Sequence, residues 1–272
     1  MSFSTLGLAP ALLESVRACG YETPTPIQAQ AIPHLLTGRD LMGCAQTGTG
    51  KTAAFALPIL HQIRDEKRGE LRALVLVPTR ELAMQVGRSM KDYGEPLGVR
   101  STSVFGGVPI GPQEMMLRHG VDILVATPGR LKDLLWRGLI DFRATRFLVL
   151  DEADRMLDMG FIDDVREIVA LIPAERQTML FSATLEPEIQ RLARDLLRSP
   201  VRVEVTPPAT VAEGVHHVIV PVRPGAKKEA LEDLLRRPEM RRTLVFTRTK
   251  RGAQQLAVHL QRRGHRATSI HA

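Results

Sequence analysis

Two short segments of this chain carry residue types that do chemistry on phosphates. Ala45-Gln46-Thr47-Gly48-Thr49-Gly50-Lys51-Thr52 follows an apolar stretch, and roughly 100 residues later Asp151-Glu152-Ala153-Asp154 closes another. Gly48 and Gly50 permit the backbone to turn so that N–H groups converge on an anion, while Lys51-Thr52 opens a helix whose N-terminus favours negative charge. The pattern is G-x-x-x-x-G-K-[ST] with Ala45 standing where the first glycine would be. Magnesium on a phosphate keeps several waters and takes one or two protein oxygens, which Asp151 is placed to supply. Glu152, one residue on, is placed to polarise an attacking water. A glycine-rich turn, or acids charging the first turn of a helix, would explain either segment alone; the two together read as an ATP site.

The elements around them must form a sheet with one functional edge. Phe147-Leu148-Val149-Leu150 is a continuous apolar run of the kind that fills a strand buried on both faces. Asp151 then falls at the carboxyl end of that strand, where open α/β sheets bind ligands. Similar runs near 41–45, 72–77, 101–105, 121–126, 177–181 and 201–205 alternate with helical patterns, for example Leu82, Val86 and Met90 at the 3.6 period. This alternation predicts an α/β fold with a parallel sheet covered by helices on both faces. Residues 206–214 are rich in proline and small residues and read as a linker between a first domain, 1–205, and a second, 215–272. In the second, strands are expected at 215–222, 242–247 and 266–270 and helices at 226–236 and 250–263. Three strands and two helices leave sheet edges and an apolar face uncovered, so the second domain reads as an incomplete, amino-terminal part.

The composition narrows the function classes. With 272 residues, 44% hydrophobic and 25% charged, the chain is globular in type. No uncharged run reaches about 18 residues, so no membrane span is expected. The first 18 residues lack the basic and apolar regions of a secretory signal, and Cys19 and Cys44 have no metal-ligand spacing; both point to the cytoplasm. The net charge of +7 is uneven: residues 223–266 hold 13 Lys and Arg against 4 acids, leaving 24 basic and 26 acidic residues elsewhere. An anionic partner of the first domain must therefore be held by placed groups and amides, not by bulk positive potential.

The motifs Asp151-Glu152-Ala153-Asp154, Ser182-Ala183-Thr184, Pro78-Thr79-Arg80-Glu81-Leu82-Ala83 and Thr127-Pro128-Gly129-Arg130, in this order and spacing, closely resemble the DEAD-box RNA helicase family. The resemblance runs from residue 3 to about 271, and the phrases Leu150–Ile162 and Arg176–Thr184 look most like the bacterial RhlE-like branch. Ala45 is the family's own form of the phosphate loop. The resemblance implies two RecA-like domains, the second one truncated here, ATP and Mg2+ as cofactors, and RNA as partner, both single strand and short duplex. It implies that Gly20 to Gln28 is an adenine-reading segment, with Phe3 as its upstream aromatic. A glutamine amide offers a donor and an acceptor to the adenine edge, and Tyr21 or Phe3 offers a ring to stack on it. Carried over residue by residue, the family's loop contacts fall on Gln46, Thr47, Gly48, Thr49 and Gly50. Lys51 touches the β and γ phosphates, Thr52 and Asp151 hold magnesium, and Glu152 orients the hydrolytic water. Thr79, Arg80, Gly106, Gly107, Thr127, Gly129 and Arg130 grip one RNA strand, and Asp154, Ser182 and Thr184 couple nucleotide state to domain closure. Leu244 to Thr249 resembles a motif of the second domain. The motifs that supply transition-state arginines lie beyond it, so the resemblance implies nucleotide binding with impaired ATPase and unwinding for these residues alone. A DNA-directed motor and a nucleotide-gated RNA clamp are the alternatives.

Overall fold

The apolar runs of the first 205 residues become seven strands: β1 (Leu41–Cys44), β2 (Ala73–Leu76), β3 (Ser101–Val104), β4 (Ile123–Ala126), β5 (Phe147–Leu150), β6 (Gln177–Ser182) and β7 (Val201–Glu204). The structure, a computed structural model, describes residues 2–205, 216, 218–223 and 225–271. The strands make one sheet in the order β3-β4-β2-β5-β6-β1-β7, and every neighbouring pair is parallel. A parallel pair cannot be joined by a tight turn, so each connection crosses a face of the sheet, usually as a helix.

Successive side chains of a strand point to opposite faces, and here both faces are apolar. Ala73, Val75, Ile123, Val125, Phe147, Val149, Met179 and Phe181 belong to one core cluster, and Leu74, Leu76, Leu124, Leu148, Leu150 and Leu180 to a second. The first cluster is covered by α1 (Pro10–Ala18), α2 (Pro26–Leu36), α3 (Lys51–Ile63) and α4 (Arg80–Gly94). The second is covered by α5 (Gly111–Arg118), α6 (Pro128–Trp136), α7 (Ala153–Asp158), α8 (Ile162–Ala170) and α9 (Pro187–Leu196). Leu82, Val86 and Met90 all face inward from α4, as their spacing predicts. The doubly covered parallel sheet is the arrangement expected from the sequence. Among the described residues no helix is long and apolar enough to cross a membrane.

The chain divides into two compact units, Met1–Ala209 and Thr210–Ala272. Residues 206–214, expected to be a linker, lie outside the described residues. The second unit holds α10 (Lys227–Leu235) and α11 (Lys250–Arg262), close to the two helices expected there. Its three expected strands are corrected: residues 216, 218–223, 242–247 and 266–270 carry no strand. Register in a sheet is specified by a buried face, and in this unit the buried hydrophobic side chains are Ala257 and Leu260 among the described residues. Ile219, Leu244, Phe246 and Ile270 are exposed instead, so alternation in the sequence has no core to select a pairing.

The amino-terminal segment is tied to the phosphate-loop helix through a titratable group. His61 on α3 accepts the Ala9 amide at Nδ1, at 3.1 Å. Burial, with Arg64 nearby, holds the imidazole below its ordinary value, against a smaller pull from Asp65. A lowered histidine binds fewer protons folded than unfolded, so this stabilisation is complete above the unfolded value near 6.5 and is lost as pH falls below it. Urea unfolding between pH 7.5 and 5.5 should show the wild-type midpoint falling more steeply than that of His61→Asn; equal slopes would contradict the assignment.

Candidate functional site

The phosphate loop leaves the end of β1 and enters α3. Gly48 and Gly50 have φ of 83° and 93°, a region that favours glycine. At Gly50 a Cβ would also stand 2.5 Å from Gln28 Nε2 and 2.9 Å from Thr25 Oγ1. The loop is drawn back over its own lysine: Lys51 Nζ donates to the Ala45 carbonyl at 3.0 Å. The same ammonium lies 3.8 Å from Asp151 Oδ1, with the two side chains 6% and 3% exposed. β1 and β5 are separated only by β6, so the sheet order itself brings the two motifs to one edge.

Asp151 is poised between opposing effects. Burial, against the downward pull of Lys51 and with Glu152 and Asp154 adding to it, leaves its carboxyl pushed up to about 6. Its Oδ1 accepts the Glu152 amide at 3.0 Å. Such a buried oxygen, with a partial counter-charge and a glycine loop beside it, fits a divalent cation on a phosphate: Asp151 would hold the ion, with Thr52 one residue past Lys51. Glu152 sits at φ 52° and ψ 53°, a left-handed conformation that costs a non-glycine residue about 1–2 kcal/mol. That turn carries its carboxylate back toward the loop, with Oε1 3.5 Å from the Thr47 hydroxyl and Oε2 3.4 Å from Arg155 Nη1.

Gln28 lies against the same loop. Its Oε1 accepts the Thr25 amide at 2.9 Å, capping α2, and its Nε2 donates to the Gly50 carbonyl at 3.0 Å. One amide hydrogen and one lone pair remain, so the side chain can hold the loop and still meet a base edge. Tyr21 is exposed enough to offer its ring, whereas Phe3 is buried in the core cluster and packs against Tyr21 with ring centroids 6.5 Å apart. The place of Phe3 is therefore behind Tyr21, as support. Gln46 and Thr47 are exposed on the loop, and Thr49 Oγ1 donates to the Gln46 carbonyl at 2.8 Å.

A second group of expected residues gathers at the ends of β2, β3 and β4, which are neighbours in the sheet. Thr79 caps α4, its Oγ1 accepting the Leu82 amide at 3.2 Å. Arg80 is exposed and stacks over Phe105 at 5.4 Å. Gly106 and Gly107 follow Phe105, and a Cβ on Gly106 would meet open space. Thr127 precedes α6, with Gly129 and Arg130 in its first turn. Arg130 Nη2 donates to the Val108 carbonyl at 2.9 Å, joining two of the three loops. Its Nε and Nη1 are buried with no hydrogen-bond partner among the described residues; Asp133 Oδ2 lies 3.8 Å from Nε, too far to satisfy it. Asp154 ties the end of β5 to the segment past β6, within the first group: its Oδ2 accepts the amides of Ala183 and Thr184 at 3.0 and 3.1 Å. Ser182 is buried and its Oγ accepts the Thr184 amide at 3.3 Å.

The matching family model, described as DEAD/DEAH box helicase, covers residues 25–192. The chain belongs to this family. It is 43% identical over 297 residues to DEAD-box ATP-dependent RNA helicase 52A of Oryza sativa subsp. japonica, covering 99% of this chain and 49% of that one. It is 43% identical over 270 residues to ATP-dependent RNA helicase DeaD of Escherichia coli K12, covering 99% of this chain and 43% of that one. A crystal structure of a DEAD box protein from Methanococcus jannaschii matches with TM-score 0.71 and 35% identity, over all of this chain and 73% of that one. The DEAD-box chain thus has a RecA-like α/β fold, and it spans about half the length of the curated relatives it matches.

One supporting residue escapes sequence reasoning. Gln113 on α5, 4% exposed, accepts the Phe105 amide at 3.0 Å and donates to the Phe105 carbonyl at 3.2 Å, fixing the loop that carries Gly106 and Gly107. A polar residue four before the buried Leu117 was the available signal, because that spacing places it on the inward face.

The contact between Gly50 and Gln28 is testable. Gly50→Ala should destabilise the chain by about 1–3 kcal/mol in urea, through positive φ and the collision with Gln28. Adding Gln28→Ala should cost less than the sum of the two single changes, because it removes the collision. Strict additivity would show that the two residues do not meet.

Proposed function

We propose that this chain is the nucleotide-binding and part of the RNA-binding machinery of an ATP-dependent RNA helicase. The observation that carries the reading is the buried approach of Lys51 to Asp151 beside the glycine loop. Lys51 binds the terminal phosphates, and the amides of Gly48 to Thr52 at the start of α3 bind along the chain of phosphates. Asp151 and Thr52 would hold Mg2+, which would supply neutralisation of phosphate charge. Glu152, aimed back at the loop by its left-handed turn, accepts a proton from water and aligns it. Catalysis is then mainly positioning and electrostatic stabilisation. Among the described residues, the ion pairs of Asp151 and Glu152 are with Lys51 and Arg155. Taken alone, these residues bind ATP in this reading, with slow turnover and little unwinding.

RNA is gripped at the other half of the same edge. Thr79, Arg80, Gly106, Gly107, Thr127, Gly129 and Arg130 present hydroxyls, open backbone and a guanidinium to one strand. Contacts of this kind hold phosphates and 2′-hydroxyls without reading bases. The two unpartnered nitrogens of Arg130 are the clearest support, since buried donors ordinarily find acceptors. The Asp154 bridge ties the end of β5 to Ala183 and Thr184 past β6, within the nucleotide half, and suits a coupling role. Two free cysteines agree with a cytoplasmic location. Assignment to the RhlE-like branch rests on the phrases at 150–162 and 176–184.

Two measurements test this. In a full-length protein carrying this chain, Glu152→Gln should lower RNA-stimulated ATP turnover by at least about 100-fold while ATP affinity stays within about 3-fold. Turnover near the wild-type rate would remove Glu152 from the chemistry; strand separation that persists for a single round would favour unwinding over a mere clamp. Arg130→Ala should weaken RNA binding by about 10-fold for every sequence tested and flatten the dependence on salt by about one phosphate contact. Stronger stimulation by DNA than by RNA would favour a DNA motor.

A further inference from the structure

Tyr93 stands in the last turn of α4, outside every motif used so far. Its ring is 3% exposed, and its hydroxyl lies 2.9 Å from that of Tyr21. The two rings are tilted by 57° with centroids 6.2 Å apart, and Phe3 packs on Tyr21 with an interplanar angle of 19°. Tyr21 is thus the middle member of a row of three rings. One flank of that row is open: a cleft of about 480 Å³ adjoins it, lined by Ala18, Cys19, Ser89, Asp92, Glu95 and Pro96 as well as the two tyrosines. Both tyrosines line this cleft, and among the described residues the Tyr93 hydroxyl is the hydrogen-bond partner of the Tyr21 hydroxyl.

We infer that Tyr93 is a positioning residue for adenine recognition: its hydroxyl fixes the Tyr21 ring and the turn that leads from Tyr21 to Gln28. This rests on the adenine-reading role that the family resemblance implies for the segment from Gly20 to Gln28. Tyr93 is suited to be a fixed post. α4 is pressed so close to β3 that a Cβ on Gly87 would stand 1.9 Å from Ser103 Oγ, and Ser103 Oγ donates to the Ala83 carbonyl at 3.0 Å. At Gly94 the same helix meets Leu60 of the phosphate-loop helix, where a Cβ would stand 3.0 Å from Leu60 Cδ2. Burial, and next the bond to Tyr21, push the Tyr93 phenol above its ordinary value, so it stays protonated at neutral pH. A residue holding only the core would affect every ligand alike. A residue holding the adenine side affects the base and spares the phosphates.

The test uses the full 272-residue chain and compares binding of ATP, GTP and tripolyphosphate, each with Mg2+. The wild type should prefer ATP to GTP. Tyr93→Phe removes one oxygen and should weaken ATP by about 5-fold, shrink the ATP-over-GTP preference by the same factor, and leave tripolyphosphate within about 2-fold. Tyr21→Phe should reproduce this pattern, and the double variant should add nothing further. An unchanged ATP-over-GTP ratio in Tyr93→Phe, or equal loss of all three ligands, overturns the positioning role. A wild type that binds tripolyphosphate without preferring ATP overturns the adenine assignment itself, and the role of Tyr93 with it.

Discussion

The constraint on which the structure turns is the burial of Lys51 beside Asp151. Two ionisable groups removed from water lose hydration that their mutual attraction restores only in part. At 3.8 Å the pair is too long for a direct hydrogen bond, and Asp151 is left with a carboxyl raised by burial despite the lysine. Packed apolar residues would be more stable at the same edge. The arrangement makes sense when a triphosphate and its cation enter between the two charges, each then finding a full partner. Holding it in readiness requires a rigid frame, and the parallel sheet with β6 between β1 and β5 is that frame.

The same sheet sets two groups of loops along one edge. Its order places β1, β6 and β5 on one side and β2, β4 and β3 on the other. The phosphate loop and the acidic motif follow the first set; the loops bearing Arg80, Gly106 and Arg130 follow the second. Outside residues 223–266 the basic and acidic residues nearly balance, 24 to 26, so an anion at this edge must be met by directed groups and not by bulk charge. Asp154, reaching from the end of β5 to two amides past β6, makes the first set a hydrogen-bonded unit.

Much of this was legible in the sequence because it rests on local rules. A run such as Phe147 to Leu150 has few alternatives to a strand buried on both faces, and glycines beside Lys51 have few alternatives to an anion loop. Contacts between distant residues were not legible. Nothing in the spacing of Gln28 and Gly50 says that the amide meets that carbonyl, and nothing in α4 says that Tyr93 faces Tyr21. The burial of Phe3 is of the same kind, since an aromatic suits a core or a stacking surface equally well. The strands expected beyond residue 214 failed for the opposite reason. Their local pattern is adequate, but a strand is made by its neighbour and by a covered face, and the second unit buries few apolar side chains to supply one.

Buried carboxylates at the two ends of the sheet show how a functional acid differs from a structural one. Asp40, just before β1, accepts the amides of Thr178 and Arg198 at 2.8 and 2.7 Å. Asp122, just before β4, accepts those of Gly69 and Arg100 at 2.6 and 2.8 Å. Each has both oxygens engaged by backbone amides and ties three segments of chain together. Asp151, at the other end, is as deeply buried but accepts one backbone amide, from its own neighbour, and its Oδ2 has no hydrogen bond among the described residues. Equal burial with unequal satisfaction separates the roles: the first two acids are complete within the fold, and the third is complete only when something else is bound.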